Sequence, residues 1–277
     1  DKNQPENLEF LKKFRAVLNP FGAAAVGEVG DAQRGLEIMA EYTSGGDKVQ
    51  MCYPFEMLQP KRLTADFLVE TFARMNAVAP DAWPCWSYSN HDTVRHITRW
   101  GLTDAGARAY IALLVCLRGS ICLYQGEELG LPEAEIAFED LQDPYGIEFW
   151  PEFKGRDGCR TPMPWDGKSK DMGFGSGAQK PWLPLTEAYR ALAASEQDTD
   201  PNSLLNFYRN LLAWRKGQEV LLQGDQALLP VHKQVMAFVR QHEGKQVLCA
   251  FNFSDSAANM ALPANFKPAA IVPVPGL

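Results

Sequence analysis

Residues 83–96 read WPCWSYSNHDTVRH. An apolar run from Trp83 to Tyr88 ends there, and Asn90, His91 and Asp92 follow side by side. Before the run lies RLTADFLVETFARMNAV (62–78), a helical pattern whose apolar content is Leu63, Phe67, Val69, Phe72 and Met75. After it comes TDAGARAYIALLVCLRG (103–119), a long apolar helix with Thr103 as its cap, and then SICLYQ (120–125), another short apolar strand. Strands that are apolar on both faces and separated by helices are usually parallel and covered by those helices.

The alternation extends toward the N-terminus. PENLEFLKKFRAVL (5–18) predicts a helix with Leu8, Leu11, Phe14 and Leu18 on one face and Pro5 in its first turn. FGAAAVGEV (21–29) is a short apolar run ended by Glu28. DAQRGLEIMAEYTS (31–44) is a weaker helix stopped by Gly45 and Gly46, and KVQMCYPF (48–55) is a strand. With the run at 83–88, the two strands before it and the one after it make four in all. A doubly wound sheet and a (β/α)8 barrel both fit this pattern, and four strands are too few to close a barrel.

From residue 126 to about residue 200 regular periodicity stops, in a stretch rich in Pro, Gly, Asp and Trp. Long irregular segments in compact domains tend to be functional. NSLLNFYRNLLAWRKG (202–217) predicts a helix capped by Asn202 or Ser203, with Leu205, Tyr208 and Leu212 on one face and Gly217 as terminator. ALLPVHK (227–233), VMAFVRQ (235–241), QVLCAFNFS (246–254) and NMALPA (259–264) then read as short strands separated by turn signals such as HEGK. The expected organisation is one unit over residues 1–217 and an antiparallel β-sandwich over 218–277.

The 277 residues, 46% of them hydrophobic, suffice for a sizeable core. No apolar run approaches the ~20 residues of a membrane span, and DKNQPENLEF lacks a secretion-signal pattern. A formal net charge of −7 argues against nucleic acid or an anionic membrane as the main partner. The six cysteines form no CxxC pair and no His/Cys metal spacing. Several lie in apolar runs, so they are read as buried, reduced thiols, which leans toward a reducing, cytoplasmic setting.

Parallel barrels and open parallel sheets carry their chemistry at the C-terminal ends of their strands. Here those ends hold Glu28, the Asn90-His91-Asp92 group, and Glu127-Glu128 after Gly126. An acid after a strand also serves as a helix cap or a solvated loop residue. Glu127 and Glu128 are read as structural, pairing with the arginines of GRDGCRTPMPW (155–165). His96, His232 and His242 are read as ordinary surface or helix histidines, and Trp83, Trp86 and Trp100 as core. Two acids at the rim of an apolar core, with an imidazole and arginines nearby, suit cleavage of a glycosidic bond. That reaction needs an acid for the leaving oxygen and negative charge beside an oxocarbenium-like transition state.

AAAVGEVGD (23–31), SYSNHDTVRH (87–96), SICLYQGEELGL (120–131) and GRDGCRTPMPWDG (155–167), in this order, resemble the α-amylase superfamily, glycoside hydrolase family 13. More closely they resemble its α-glucosidase and oligo-1,6-glucosidase branch. The resemblance covers essentially the whole chain. It implies a retaining α-glucosidase acting on the non-reducing end of small oligosaccharides or glucosides. Glu28 matches the family's general acid/base and Asp92 its transition-state-stabilising carboxylate. His91 and Arg156 match residues that contact the non-reducing glucose. Arg160 belongs to the same segment, with a packing role as the alternative.

The family's nucleophilic aspartate lies in a GxRxD-like segment that should precede Glu28, and no such segment does. The sequence therefore resembles strands five to eight of the (β/α)8 barrel plus the C-terminal antiparallel domain. The resemblance implies that the missing first half is a partner, as another chain or across a break, and that this chain alone is inactive. No cofactor and no metal are expected. The rivals are a transglucosidase or sugar isomerase on the same site, and a non-enzymatic accessory protein on the same fold. Retention of Glu28 and Asp92 counts against the last.

Overall fold

The computed structural model of the protein describes residues 3–31, 33–176, 179–230, 235–263 and 266–276. The first part runs α1 (Glu6–Leu18), β1 (Val26–Val29), α2 (Gly35–Thr43), β2 (Met51–Pro54), α3 (Ala65–Val78), β3 (Cys85–Trp86), α4 (His96–Arg99), α5 (Asp104–Cys116) and β4 (Ser120–Ile121). The strands are parallel, as expected. β1 pairs with β2 in the register Val26 to Met51 and Glu28 to Tyr53. β3 pairs with β4, and a parallel bridge from Cys52 to Pro84 links the two pairs. The strands therefore follow one another in chain order, as successive staves.

Helix packing explains the strand apolarity. α2 buries Leu36, Ile38, Met39 and Tyr42, and α3 buries Leu68, Phe72 and Met75. Phe72 meets Trp86 edge to face, centroids 5.2 Å apart at 87°, a favoured aromatic geometry. The second half of α5 is buried almost continuously, from Tyr110 to Val115. Thr103 caps it by accepting from the Gly106 N–H at 3.2 Å. Three buried aromatic side chains find partners for their polar tips. Tyr88 donates to Tyr110 O at 3.0 Å, Tyr110 to Leu63 O at 2.7 Å, and Trp86 Nε1 to Arg118 O at 2.8 Å. At Gly119, with φ of +125°, a Cβ would lie 2.6 Å from Pro84 O, so only glycine lets β4 enter beside β3. α1 differs from its expectation. Leu8 and Leu11 pack on the core, but Phe10, Phe14 and Val17 are exposed and no residue of the helix is fully buried.

Residues 126–200 contain only short pieces, among them α6 (Pro144–Glu148) and α7 (Ala194–Asp198). They are nevertheless packed. Leu129, Leu131, Leu141, Met163, Met172 and Tyr189 are buried in a second small core. α8 (Leu204–Lys216) closes onto it through Leu205. Of the two candidate caps, Ser203 does the capping, accepting from Asn206 N at 3.2 Å.

After α9 (Glu219–Gln223) comes an antiparallel sheet of β5 (Asp225–Leu228), β6 (Val235–His242) and β7 (Lys245–Asn252), in that order. The predicted HEGK turn joins β6 to β7, with Glu243 and Gly244 both at positive φ, 45° and 78°. Arg240, buried on β6, fastens this sheet to the rest. It donates to Cys116 O at 2.7 Å, Gly224 O at 2.7 Å, Leu221 O at 3.1 Å and Asp225 O at 3.2 Å. Burial pulls its guanidinium down to about 10.

Two expectations change. Residues 259–263 of NMALPA form no strand, since they pair with no neighbour and end at a proline that lacks an N–H. Ala264 and the Val231–Lys233 end of ALLPVHK, His232 included, lie outside the described residues. Cys122 is exposed rather than buried, following directly on the two-residue β4.

Candidate active site

β3 ends at Trp86, six residues before Asp92, so the strand itself does not hold the acid. A turn does. Asn90 Oδ1 accepts from the Asp92 N–H at 2.9 Å and from Thr93 Oγ1 at 3.1 Å, a local side-chain turn that pins the backbone. Behind the turn, Ser89 Oγ accepts from the His96 N–H at 3.0 Å, which anchors α4 to the same loop.

Two arginines meet Asp92. Arg156 Nη1 lies 3.0 Å and Arg160 Nη2 2.8 Å from its Oδ1. Arg160 Nε also donates to His91 O at 2.7 Å, and His91 Nε2 stands 3.6 Å from Asp92 Oδ1. Both bonds go to Oδ1, and the Asp92 side chain is 36% exposed. The expectation that this arginine segment pairs with Glu127 and Glu128 is therefore corrected. Glu127 is buried against His96, Oε1 to Nδ1 at 3.4 Å, and Glu128 Oε2 accepts from Gly126 N at 2.9 Å. Glu127 is buried and Glu128 half-buried, and burial raises the Glu128 carboxyl. Of the two readings for His96, surface or helix, the helix one holds: it opens α4 and is buried.

Glu28 lies within β1 rather than beyond it, and it is exposed; among the described residues β1 pairs with β2 alone. Its register partner is Tyr53, directly across the β1–β2 pair. Burial, then Glu28, push the Tyr53 hydroxyl up. Glu28 and Asp92 line one hollow of about 810 Å³, shared with Phe55, Tyr42 and the start of α1. That falls within the roughly 300–1,000 Å³ usual for small-molecule sites.

Parallel staves, Glu28 on one of them and an arginine-clamped Asp92 on a following turn frame the site, and comparison with known families gives the chain its family. The alpha amylase catalytic domain matches residues 1–224, and the maltogenic amylase C-terminal domain matches residues 226–276. The chain belongs to the α-amylase family. Among its relatives, the "Probable alpha-glucosidase" of Rhizobium meliloti (strain 1021) is 54% identical over 268 residues, covering 95% of this chain and 48% of that protein. The "Oligo-1,6-glucosidase" of Heyndrickxia coagulans is 28% identical over 308 residues, covering 94% and 53%. Among solved structures, the alpha-glucosyl transfer enzyme XgtA superposes with a TM-score of 0.87 at 52% identity, covering 94% of this chain and 48% of that one. The trehalulose synthase MutB of Pseudomonas mesoacidophila MX-45, at 24% identity and a TM-score of 0.80, shows the shared fold alone. The chain spans about half the length of the curated relatives it matches.

The fold class read from the sequence holds for this α-amylase family chain: a parallel (β/α)8-type segment followed by an antiparallel β domain. Two site residues escaped sequence reasoning. Tyr53 read only as part of an apolar strand, although the register with Glu28 marks it. Asp143 lay in the irregular stretch, where no periodicity signals a partner. Its buried carboxylate takes Arg156 Nε and Nη2 at 2.8 Å each. No helix among the described residues is long and apolar enough to cross a membrane.

Proposed function

We propose that this chain supplies the acid/base half of a retaining α-glucosidase. Glu28 protonates the leaving glycosidic oxygen and then, as a carboxylate, takes the proton of the attacking water. Asp92 turns its Oδ2 to the sugar hydroxyls and offsets the positive charge that builds on the ring. His91 and Arg156 bind the non-reducing glucose, and Arg160 holds Asp92 in place. The carboxylate that attacks the anomeric carbon comes from the rest of the protein, consistent with a match to about half of each relative. On this reading the partner is that remaining half, the substrate an α-glucoside or malto-oligosaccharide, and the location cytoplasmic.

One observation carries the reading: Glu28 and Asp92 open into the same sugar-sized hollow. The test is Glu28→Gln in the complete protein. Cleavage of p-nitrophenyl α-glucoside should fall by orders of magnitude while glucoside binding persists. An unchanged rate removes Glu28 from the mechanism.

A second reading has its own support. The solved structure at 52% identity is named an alpha-glucosyl transfer enzyme. In a transglucosidase a sugar or other hydroxyl takes the glucosyl group instead of water, with the same Glu28 acting as base. Product analysis with maltose separates the two: free glucose alone marks hydrolysis, and longer or rearranged glucosides mark transfer.

A further inference from the structure

We infer that Asp143 is a positioning residue for the sugar site, acting through Arg156 to set both the aim of the guanidinium and the net charge beside Asp92. The inference rests on the proposed sugar-binding role of Arg156.

The geometry is a closed clamp. The Asp143 side chain is wholly buried, whereas that of Arg156 is 27% exposed. Arg156 presents the Nε/Nη2 edge of its guanidinium to Asp143, with Nε to Oδ2 and Nη2 to Oδ1 both at 2.8 Å. Two parallel charge-assisted bonds of this kind fix the plane as well as the position of the group. The Arg156 backbone N–H adds a third bond to Oδ2 at 2.8 Å, and Oδ1 also accepts from Tyr145 N at 3.3 Å. Asp143 is anchored in turn, because its own N–H and that of Gln142 donate to Asp157 Oδ2 at 2.8 and 2.6 Å. The two loops can come this close because both carry glycine at the contact. A Cβ on Gly155, whose φ is +78°, would lie 2.8 Å from Gly146 Cα and 3.0 Å from Asp143 Oδ2. The Tyr145 ring covers the guanidinium, its centroid 5.3 Å from Cζ.

Two consequences follow. A guanidinium has five N–H donors. Asp143 takes one from Nε and one from Nη2, and Asp92 takes one from Nη1. One N–H on each Nη nitrogen is left for sugar hydroxyls, in directions that Asp143 dictates. The second consequence is charge. Arg156 and Arg160 both bond Asp92 Oδ1. Without Asp143 the cluster of Asp92, Arg156 and Arg160 would carry a net positive charge, the wrong sign beside an oxocarbenium-like transition state. With Asp143 the four charges balance, and Asp92 keeps its attraction for developing positive charge. That places the effect in the chemical step more than in ground-state binding.

The experiment uses the complete protein with p-nitrophenyl α-glucoside. Asp143→Asn should lower kcat by about 10- to 100-fold, by analogy with the loss of a partner that orients a metal-binding side chain, with KM moved only a few-fold. In an Arg156→Ala background the same change should cost little more, because the residue it acts through is gone. Full, equal losses in both backgrounds, or a KM effect with kcat unchanged, overturn the inference. Should Asp143→Asn fail to fold, Arg156→Lys carries the test, since lysine keeps the charge but cannot span both carboxylates. An unchanged kcat in that variant overturns the inference. A wild-type protein without α-glucoside turnover overturns the glucosidase reading itself. Normal wild-type turnover with an unaffected Asp143→Asn overturns only the role of Asp143.

Discussion

Arg160 ties Asp92 to its own turn: Nη2 reaches Asp92 Oδ1 at 2.8 Å while Nε holds the His91 carbonyl at 2.7 Å. The two bonds converge from one planar group, so side chain and backbone of the turn are set together. Replacing Arg160 with Lys keeps the charge but not the fork. We expect kcat/KM to fall about 10- to 100-fold and unfolding free energy to fall by about 1.5–3 kcal/mol, as for lost charge-assisted bonds. Steady-state kinetics and urea unfolding of the complete protein check both. Loss of stability without loss of activity would return Arg160 to a packing role.

Asp143 gives a pH prediction. Its hydrogen bonds from Arg156 hold the carboxyl at about 2, below the ordinary 3.8. The unfolded chain therefore binds a proton that the folded one does not, and stability rises with pH across that window. The contribution is complete above about pH 4, near the ordinary carboxylate value, and is lost as pH falls toward 2. Urea midpoints measured from pH 2 to 5 should show a steeper slope for the wild type than for Asp143→Asn. Identical slopes would contradict the clamp.

Arg240 satisfies carbonyls of α5, α9 and the β5 segment at once. Arg240→Leu should destabilise the protein by more than about 3 kcal/mol, since each buried carbonyl left unpaired costs on the order of 1–3 kcal/mol. Thermal unfolding measures it. A shift near zero would mean that water replaces the guanidinium.

Gly119→Ala should cost well over about 1 kcal/mol, because the position needs a positive φ and because the added methyl meets Pro84 O at 2.6 Å. Ser203→Ala, which only removes a helix cap, should cost about 1 kcal/mol. Equal effects of the two changes on the urea midpoint would show that the β3–β4 approach is looser than described.

The chain by itself, purified without the remainder of the protein, should show no turnover of p-nitrophenyl α-glucoside, because the proposed nucleophile is elsewhere. Appreciable turnover would require a nucleophile among these residues and would overturn the division of the site into halves.

Much of this was readable from residue order. Alternating apolar strands and helices marked the parallel staves, since burial on both faces needs continuous apolar runs. The Thr103 cap, the choice of Asn202 or Ser203 for α8 and the HEGK turn were legible because each is a local interaction between near neighbours in the chain. The pairing of Glu127 and Glu128 was misread because acids and arginines match in sign over any distance, and charge alone carries no depth.

By itself the sequence singled out the candidates: Glu28, His91 and Asp92 by type and by position at the end of apolar runs, Arg156 and Arg160 by family pattern. Only the tertiary structure decided how they are held. Asp92 owes its place to an Asn90 turn and two arginines more than sixty residues away, and Arg156 owes its direction to Asp143. Such contacts depend on the path of an irregular loop through space, which no periodicity records, so they exist only once the two small cores have packed and brought distant backbone together.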